Sequence, residues 1–302
     1  MKNKSLVSIN DFSREEHIRI LDLAEEFEKM PTQSILDKFV VATLFFEPST
    51  RTRLSFESAA TRLGAKVIGF SEPGSTSVQK GESLRDTIKT ISNYSDIIVM
   101  RHPKEGSARF ASEVSTVPII NAGDGANQHP TQTLLDMYSI RKTQGHLDNL
   151  NIAFVGDLKY GRTVHSLVIA LSNYNTKFHL VSPEELKLPS SVKMHIKEKE
   201  LAYHQYTELQ DVIGKVDILY MTRIQKERFS DPMDYEKVKN SYTLKNSMLE
   251  KARTNLKILH PLPRVNEISV DVDENPKAYY FTQALNGVYV RQAILASILG
   301  VK

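Results

Sequence analysis

No cysteine occurs anywhere in the 302-residue chain. Disulfides, cysteine-ligated zinc and thiol catalysis are therefore excluded. Long apolar runs are also missing. The strongest apolar stretch lies near residues 39–46, far short of the ~20 residues that a membrane-spanning helix needs. The first 17 residues hold no apolar core of the kind a secretory signal carries. A soluble, cytoplasmic protein without a membrane partner is the expectation. No block of Lys or Arg stands alone, and the net charge is only +3. A nucleic-acid binder would gather its basic residues on one face, so no nucleic-acid partner is expected. There is no internal repeat, no low-complexity tract and no cluster of metal-ligand residues. Neither a metal nor an organic cofactor is expected.

What is present describes an ordinary globular protein. Hydrophobic residues make up 40% and charged residues 25%, which sets disorder and collagen-like classes aside. At ~100–200 residues per domain the length suggests two domains. Short β-branched runs alternate with longer helical patterns, which argues for parallel sheets covered by helices. Ser13 stands three residues before Glu16, a capping-box spacing at the start of a first helix that Pro31 ends. Strands are predicted at 40–46, 66–70, 96–101 and 118–121, with helices at 52–63, 83–94 and 107–114 between and after them. A long helix over 130–144 and a hinge at 145–150 lead to a second unit. Its strands are predicted at 151–155, 178–181, 216–221 and 256–260, with a weaker one at 278–281. A final apolar helix, 288–299, can pack back on the first unit. The fold class expected is α/β: two Rossmann-like α/β/α domains with mainly parallel sheets, linked by two helices. The domains fall at 1–130, with the C-terminal 286–302 returning to it, and at 151–285, with 131–150 between them.

In open α/β sheets, ligands bind beyond the carboxyl ends of the strands, so the residues that follow strands are the candidates. Residues 45–53 read Phe-Phe-Glu-Pro-Ser-Thr-Arg-Thr-Arg. A buried strand ends at Phe46, Pro48 forces an extended turn, and a helix begins near Thr50 to Thr52. Backbone N–H groups at a helix start bind anions. Ser49, Thr50 and Thr52 add hydroxyls, and Arg51 adds a planar charged fork suited to phosphate. An N-cap followed by surface arginines would account for any one of these. Their convergence after a strand favours an anion site, with Arg53 left to a structural ion pair.

Arg101 ends a strand just before Pro103. His129 opens a helix whose first turn suits Pro130, and Gln132, three residues on, shares its face. That pair reads as a carbonyl-polarising and amide-binding pair. Residues 71–81 are polar and contain Gly and Ser, so a mobile loop is expected there. In the second unit Asp157 to Thr163 follow a strand and Gly156, but Gly-x-Gly-x-x-Gly is absent, so a nicotinamide reading lacks its phosphate loop. Arg162 stands where a helix begins and suits an anion. Arg223 and Gln225 follow another strand, in a basic stretch at 223–228 that would otherwise be a solvated loop. Two prolines flank Leu262 in His-Pro-Leu-Pro-Arg. They point to a rigid turn with a candidate cis bond, able to present carbonyl oxygens to an NH2 group.

Pro48 to Phe56, Pro-Ser-Thr-Arg-Thr-Arg-Leu-Ser-Phe, resembles the carbamoyl-phosphate motif of the aspartate and ornithine carbamoyltransferase superfamily. The resemblance continues through Met100-Arg101-His102-Pro103, Asn121-Ala122-Gly123-Asp124-Gly125, His129-Pro130-Thr131-Gln132, Gly156-Asp157-Leu158-Lys159-Tyr160-Gly161-Arg162-Thr163 and His260-Pro261-Leu262-Pro263-Arg264. These segments span nearly the whole chain in order, each at a strand end. The resemblance implies transfer of a carbamoyl group from carbamoyl phosphate to an amine, an early committed step of pyrimidine biosynthesis in the aspartate branch. It implies that Ser49, Thr50, Arg51, Thr52, Arg101, His129, Gln132, Leu262 and Pro263 bind carbamoyl phosphate. Thr52, Arg101 and His129 would hold the carbamoyl oxygen, Gln132 would help hold its NH2 group, and the backbone at Leu262 and Pro263 would touch the same group. Ser77, Lys80, Arg162, Arg223 and Gln225 would bind aspartate. Arg51, Thr52, Lys80, Arg101 and His129 form the implied catalytic set.

The family further implies a homotrimer with shared active sites, in which the loop carrying Ser77 and Lys80 reaches a neighbour's site. That loop is one residue shorter here than in some relatives. Association with regulatory chains into a larger, allosteric assembly stays open. So do an ornithine or other-amine carbamoyltransferase and a non-catalytic scaffold as alternatives. Thr131 and Pro261 resemble the aspartate branch, because the ornithine branch carries cysteine at both places. Arg162, Arg223 and Lys80 suit a dicarboxylate better than a second amine.

Overall fold

The run Val-Val-Ala-Thr-Leu-Phe forms strand β1 (Val40–Phe45), buried at every position after the first. A strand with two apolar faces belongs inside a parallel sheet covered on both sides. In a computed structural model of the chain, β1 lies between β2 (Lys66–Phe70) and β3 (Ile97–His102), with β4 (Ile119–Asp124) beyond β3, all in parallel. The structure describes residues 1–302 except 73, 75, 76, 227, 228 and 230, and describes residue 78 through its backbone alone. The helices of this part are α1 (Arg14–Lys29), α2 (Thr50–Arg62), α3 (Leu84–Ile91) and α4 (Ser107–Val114). Ser13 caps α1 as its spacing predicts: Ser13 Oγ accepts from the Glu16 N–H at 3.2 Å, and Glu16 Oε2 accepts from the Ser13 N–H at 2.9 Å. Ala42, Leu44, Ile98, Met100 and Ile119 from the sheet pack with Ile88, Ala108 and Ala111 from the helices.

Residues 1–138 with 284–302 make one compact unit, and residues 139–283 make the other. Helices α5 (Pro130–Gln144) and α10 (Tyr280–Leu299) are the two segments that run from one into the other. The second unit is built on β5 (Asn151–Val155), β6 (Lys177–Val181), β7 (Tyr203–Tyr206), β8 (Ile218–Met221) and β9 (Lys257–Leu259). They form a five-stranded parallel sheet in the order β7-β6-β5-β8-β9. Its helices are α6 (Arg162–Leu171), α7 (Ser190–Glu198), α8 (Gln210–Ile213) and α9 (Pro232–Val238). Ala153, Val155, Leu219, Met221 and Ile258 from the strands pack with Val212, Ile213 and Leu249 in one core. Among the described residues, no helix is long and apolar enough to cross a membrane.

Two local expectations are corrected. The strand expected at 278–281 is a single bridge between Ala278 and Ile258, and the chain is already helical from Tyr280. The last helix therefore starts well before residue 288. Gly287 interrupts the apolar pattern but not the helix. A Cβ there would lie 2.3 Å from Arg291 Nη1, so a side chain at 287 would make that guanidinium shift. The strand β7 was not expected either. Tyr-His-Gln-Tyr has no alternating apolar face, and it gains its form by pairing with β6 at the sheet edge.

The strand orders place the binding crevices. In the first sheet the chain passes from β1 outward to β2 and then returns to β3 on the other side, so the direction reverses between β1 and β3. In the second sheet the same reversal falls between β5 and β8. Such switch points leave a crevice outside the carboxyl ends of the two strands.

Candidate active site

The first crevice is furnished by the segment that joins β1 to α2 and by the end of β3. Phe45 and Arg101 are register partners, and the Phe46 N–H donates to the Arg101 carbonyl at 2.9 Å. Arg101 Nε donates to Glu47 Oε2 at 3.0 Å. Sequence reasoning did not find Glu47, because its partner lies 54 residues away. Ser49 is the N-cap of α2 but makes no side-chain capping bond. The first turn of a helix has N–H groups that the helix itself does not satisfy, and here the capping hydroxyl is not spent on them. Thr50 and Arg51 are exposed and Thr52 is buried. Arg53 forms the structural ion pair expected of it, with Nε 3.8 Å from Glu57 Oε1.

Around this crevice the polar residues are fixed by one another. Asp124 accepts from the Gly106 N–H at 2.9 Å, the Asn121 amide at 2.8 Å and the Gln128 N–H at 3.1 Å. That carboxylate holds the segment leading to His129. His129 is 4% exposed, and its Nδ1 lies 3.5 Å from Thr131 Oγ1. Gln132 Nε2 donates to Asp136 Oδ1 at 2.8 Å. His102 Nδ1 accepts from the Lys104 N–H at 3.0 Å, and burial, then the Lys104 charge, holds His102 below the usual imidazole range. Ser77 and Lys80 are exposed on a short 3-10 turn, Ser77–Lys80. The loop reading for 71–81 lies partly outside the described residues, at 73, 75 and 76.

The second crevice has the same plan. After β5, Gly156 adopts φ +116°, and a Cβ there would lie 2.3 Å from the Thr222 carbonyl oxygen, so only glycine lets the two strand ends close up. Thr222 Oγ1 accepts from the Asp157 N–H at 3.2 Å. Asp157 is fully buried, and its carboxylate accepts from the Tyr160 N–H at 2.9 Å and the Gln225 N–H at 3.4 Å. Gln225 Nε2 donates to the Tyr160 carbonyl at 3.3 Å. Asp157 thereby ties the segment before Arg162 to the segment bearing Arg223. Arg162 opens α6, Arg223 follows β8, and both are half-buried. The far end of the basic stretch, at 227 and 228, lies outside the described residues.

Leu262 and Pro263 follow β9. Their peptide bond is cis, and Leu262 has φ +53°, a left-handed conformation that branched residues seldom adopt. His260 supports it: Nδ1 accepts from the Leu262 N–H at 2.7 Å, and Nε2 donates to Glu267 Oε1 at 2.7 Å. These two bonds define the imidazole tautomer. Burial raises the Glu267 carboxyl, but the His260 contact and backbone N–H groups outweigh it and hold the group below the usual carboxylate range. Among the described residues, no group of three or more His, Asp or Glu is arranged to hold a metal ion.

Two parallel α/β units, each with arginines at its switch point and neither with a dinucleotide loop, have the layout of a two-domain α/β enzyme, with positive charge where ligands bind in such sheets. Residues 4–142 match the family described as aspartate/ornithine carbamoyltransferase, carbamoyl-P binding domain, and residues 148–298 match its Asp/Orn binding domain. The aspartate carbamoyltransferase catalytic subunit of Phocaeicola vulgatus is 64% identical over all of this chain and 96% of its own length. Among solved structures, the catalytic subunit of M. jannaschii aspartate transcarbamoylase is 53% identical, with a TM-score of 0.92 and 98% of each chain covered. The Trypanosoma cruzi aspartate transcarbamoylase in complex with carbamoyl phosphate and aspartate is 39% identical, with a TM-score of 0.94 and 99% and 97% covered. The chain belongs to the aspartate/ornithine carbamoyltransferase family.

Proposed function

We propose that this chain moves the carbamoyl group of carbamoyl phosphate onto the amine of L-aspartate, releasing phosphate and N-carbamoyl-L-aspartate. The observation that carries the reading is the placing of Arg51 and Arg101 at one switch point and Arg162 and Arg223 at the other. In the first unit, Ser49, Thr50, Arg51 and the start of α2 take the phosphate. Thr52, Arg101 and His129 hold the carbamoyl oxygen, and Gln132 holds its NH2 group. In the second unit, Arg162 and Arg223 take the aspartate carboxylates, with Gln225 in support. The neutral amine attacks the carbonyl carbon, and the carbonyl electrons move onto oxygen. The C–O bond to phosphate then breaks, and the surplus amine proton leaves with the phosphate. Donors fixed in advance around the oxygen lower the cost of the charge that develops there, and holding both reactants removes most of the entropic barrier.

Arginines suit two carboxylates, whereas the second amine of ornithine would call for an acidic or neutral partner. Thr131 and Pro261 fit the same choice. The assay that decides mixes the purified chain with carbamoyl phosphate and either L-aspartate or L-ornithine. Carbamoyl aspartate should form; citrulline alone, or no product, would overturn the reading.

A homotrimer with shared sites belongs to the same proposal. Its support is the exposed edge strand β2, with Ile68 38% exposed, the exposed Leu54 on α2 and the exposed turn that carries Lys80. Sedimentation at micromolar concentration should give three times the chain mass. The relatives are named catalytic subunits. A regulatory partner for this chain is a further part of the proposal, read by a shift to a larger species on mixing.

A further inference from the structure

Asp136 is a fully buried carboxylate on α5, and the reaction proposed above gives it no task. It stands one turn beyond Gln132, where side chains at i and i+4 face one another, and it accepts from Gln132 Nε2 at 2.8 Å. Arg291 of α10 brings a positive charge that interacts with Asp136. It is 3% exposed, its guanidinium lies 5.0 Å over the Phe56 ring, and Nη1 donates to Ser55 Oγ at 2.9 Å. Gly287 makes the room for it, since a Cβ there would also lie 3.2 Å from Leu135 Cδ2 on α5. Burial lowers Arg291 to about 10, and the Asp136 charge opposes that shift, so the guanidinium is cationic at neutral pH.

The chemistry of the amide then decides which way Gln132 faces. A glutamine amide has two ends of nearly equal shape, an oxygen that accepts and an NH2 that donates. An ionised carboxylate only accepts. Asp136 therefore takes the NH2 end of Gln132 and leaves Oε1 as the end offered to a ligand. We propose that Asp136 is a positioning residue that makes the site select a carbamoyl group, by locking Gln132 with its oxygen presented to the ligand's NH2. The inference rests on the reading of Gln132 as the residue that meets that NH2. An amide turned the other way would place NH2 against NH2.

The test uses two ligands of the same shape, carbamoyl phosphate and acetyl phosphate, which carries a methyl in place of NH2. Binding of each is titrated calorimetrically on the wild type, Asp136→Asn, Asp136→Glu, Gln132→Ala and the Gln132→Ala/Asp136→Asn double variant, with inorganic phosphate as the control for an intact anion site. Asp136→Asn should weaken carbamoyl phosphate about 10-fold more than acetyl phosphate, the order expected for one misdirected buried hydrogen bond. Phosphate binding should stay within about 2-fold. Asp136→Glu should keep the preference, and in the Gln132→Ala background the second substitution should change it no further. Equal loss of both ligands in Asp136→Asn, with Gln132→Ala losing carbamoyl phosphate more than acetyl phosphate, overturns the positioning role and spares the reading of Gln132. Equal loss of both in Gln132→Ala overturns the reading and the proposal together. One measurement needs no Asp136 variant. In glutamine-labelled wild type, one Gln132 side-chain NH2 proton, assigned by its absence in Gln132→Ala, should be shifted downfield and protected from exchange, with or without carbamoyl phosphate. An unshifted, rapidly exchanging pair would also overturn the proposal.

Discussion

Arg101 donates through Nε to Glu47 Oε2 at 3.0 Å, joining the end of β3 to the turn after β1. The Arg101 side chain is 13% exposed, so the bond is partly shielded from water. A guanidinium has five N–H donors in a rigid fork, so it can serve Glu47 along one edge and a carbonyl oxygen along another. A lysine ammonium is a compact point charge on a flexible stem and must choose between them. Arg101→Lys should therefore lower kcat with carbamoyl phosphate by about 10²-fold, a typical cost for one oxyanion donor, while the melting temperature moves little. Steady-state kinetics and a thermal melt read both quantities. Turnover within a few-fold of wild type would remove Arg101 from the carbonyl site.

The two crevices should fail in different ways. Arg51 stands on the first turn of α2 and Arg223 just after β8. Arg51→Ala should cut turnover on the order of 10²–10³-fold, because the anion it holds bears the leaving charge. Arg223→Ala should raise the KM for aspartate far more than the KM for carbamoyl phosphate, the mark of a lost ground-state contact. Titrations of both substrates on both variants check this. An equal effect of Arg223→Ala on the two KM values would reassign it.

Much of this was legible because the signals are local. The helix read over 107–114 and the strand over 151–155 have the bounds found in the structure, as does the helix over 130–144. Each is bordered by a glycine or a proline, at Gly106, at Pro130 and Gly145, and at Gly156. The arginines were legible for a local reason too: Arg101 and Arg223 stand at or just after an apolar run, and Arg51 and Arg162 stand at the start of the helix that follows one. The partners that fix them were harder to see. Glu47 and Arg101 meet only through the parallel register of β1 and β3. Asp157 reaches Gln225 across 68 residues. Asp136 was the exception that sequence could have offered, since it sits four residues after Gln132 on a helix already drawn. The strand expected at 278–281 failed because Tyr279 borrows one bond from Ile258 before the helix begins, and an apolar run of that length reads equally as strand or helix.

Lys80 offers a test of shared sites that needs no new structure. Lys80→Ala and Arg51→Ala should each be nearly inactive alone. If Lys80 acts in a neighbour's site, a mixed trimer contains sites that take Arg51 from one chain and Lys80 from the next. Dissociating the two inactive variants together and reassembling them should restore a substantial fraction of wild-type activity. Each variant treated alone should restore none. Failure to recover activity in trimers verified as mixed would place Lys80 in its own chain's site or outside the site altogether.

Acid should loosen the second unit through His179. This residue lies on β6 in register with His204 of β7, with the two rings 5.8 Å apart. It is 3% exposed, its Nδ1 lies 3.3 Å from the Tyr206 hydroxyl, and its Nε2 has no hydrogen-bond partner among the described residues. Burial, and then the charges of His204, Lys177, Lys215 and Arg253, push His179 down to about 4. The unfolded chain therefore binds this proton first. The stability the neutral ring confers is complete above about pH 6.5 and falls progressively as pH drops toward 4, by roughly 1–3 kcal/mol. Carboxylates such as Glu267 lose stability at the acid end as well, so the wild-type curve alone would not isolate the histidine. His179→Phe keeps a ring and removes the titration, while every carboxylate stays. The difference between the urea midpoints of wild type and His179→Phe should therefore shift toward the variant between pH 7 and pH 4.5, at fixed ionic strength. A difference that stays constant over that range would mean that His179 takes up its proton equally well in the folded chain.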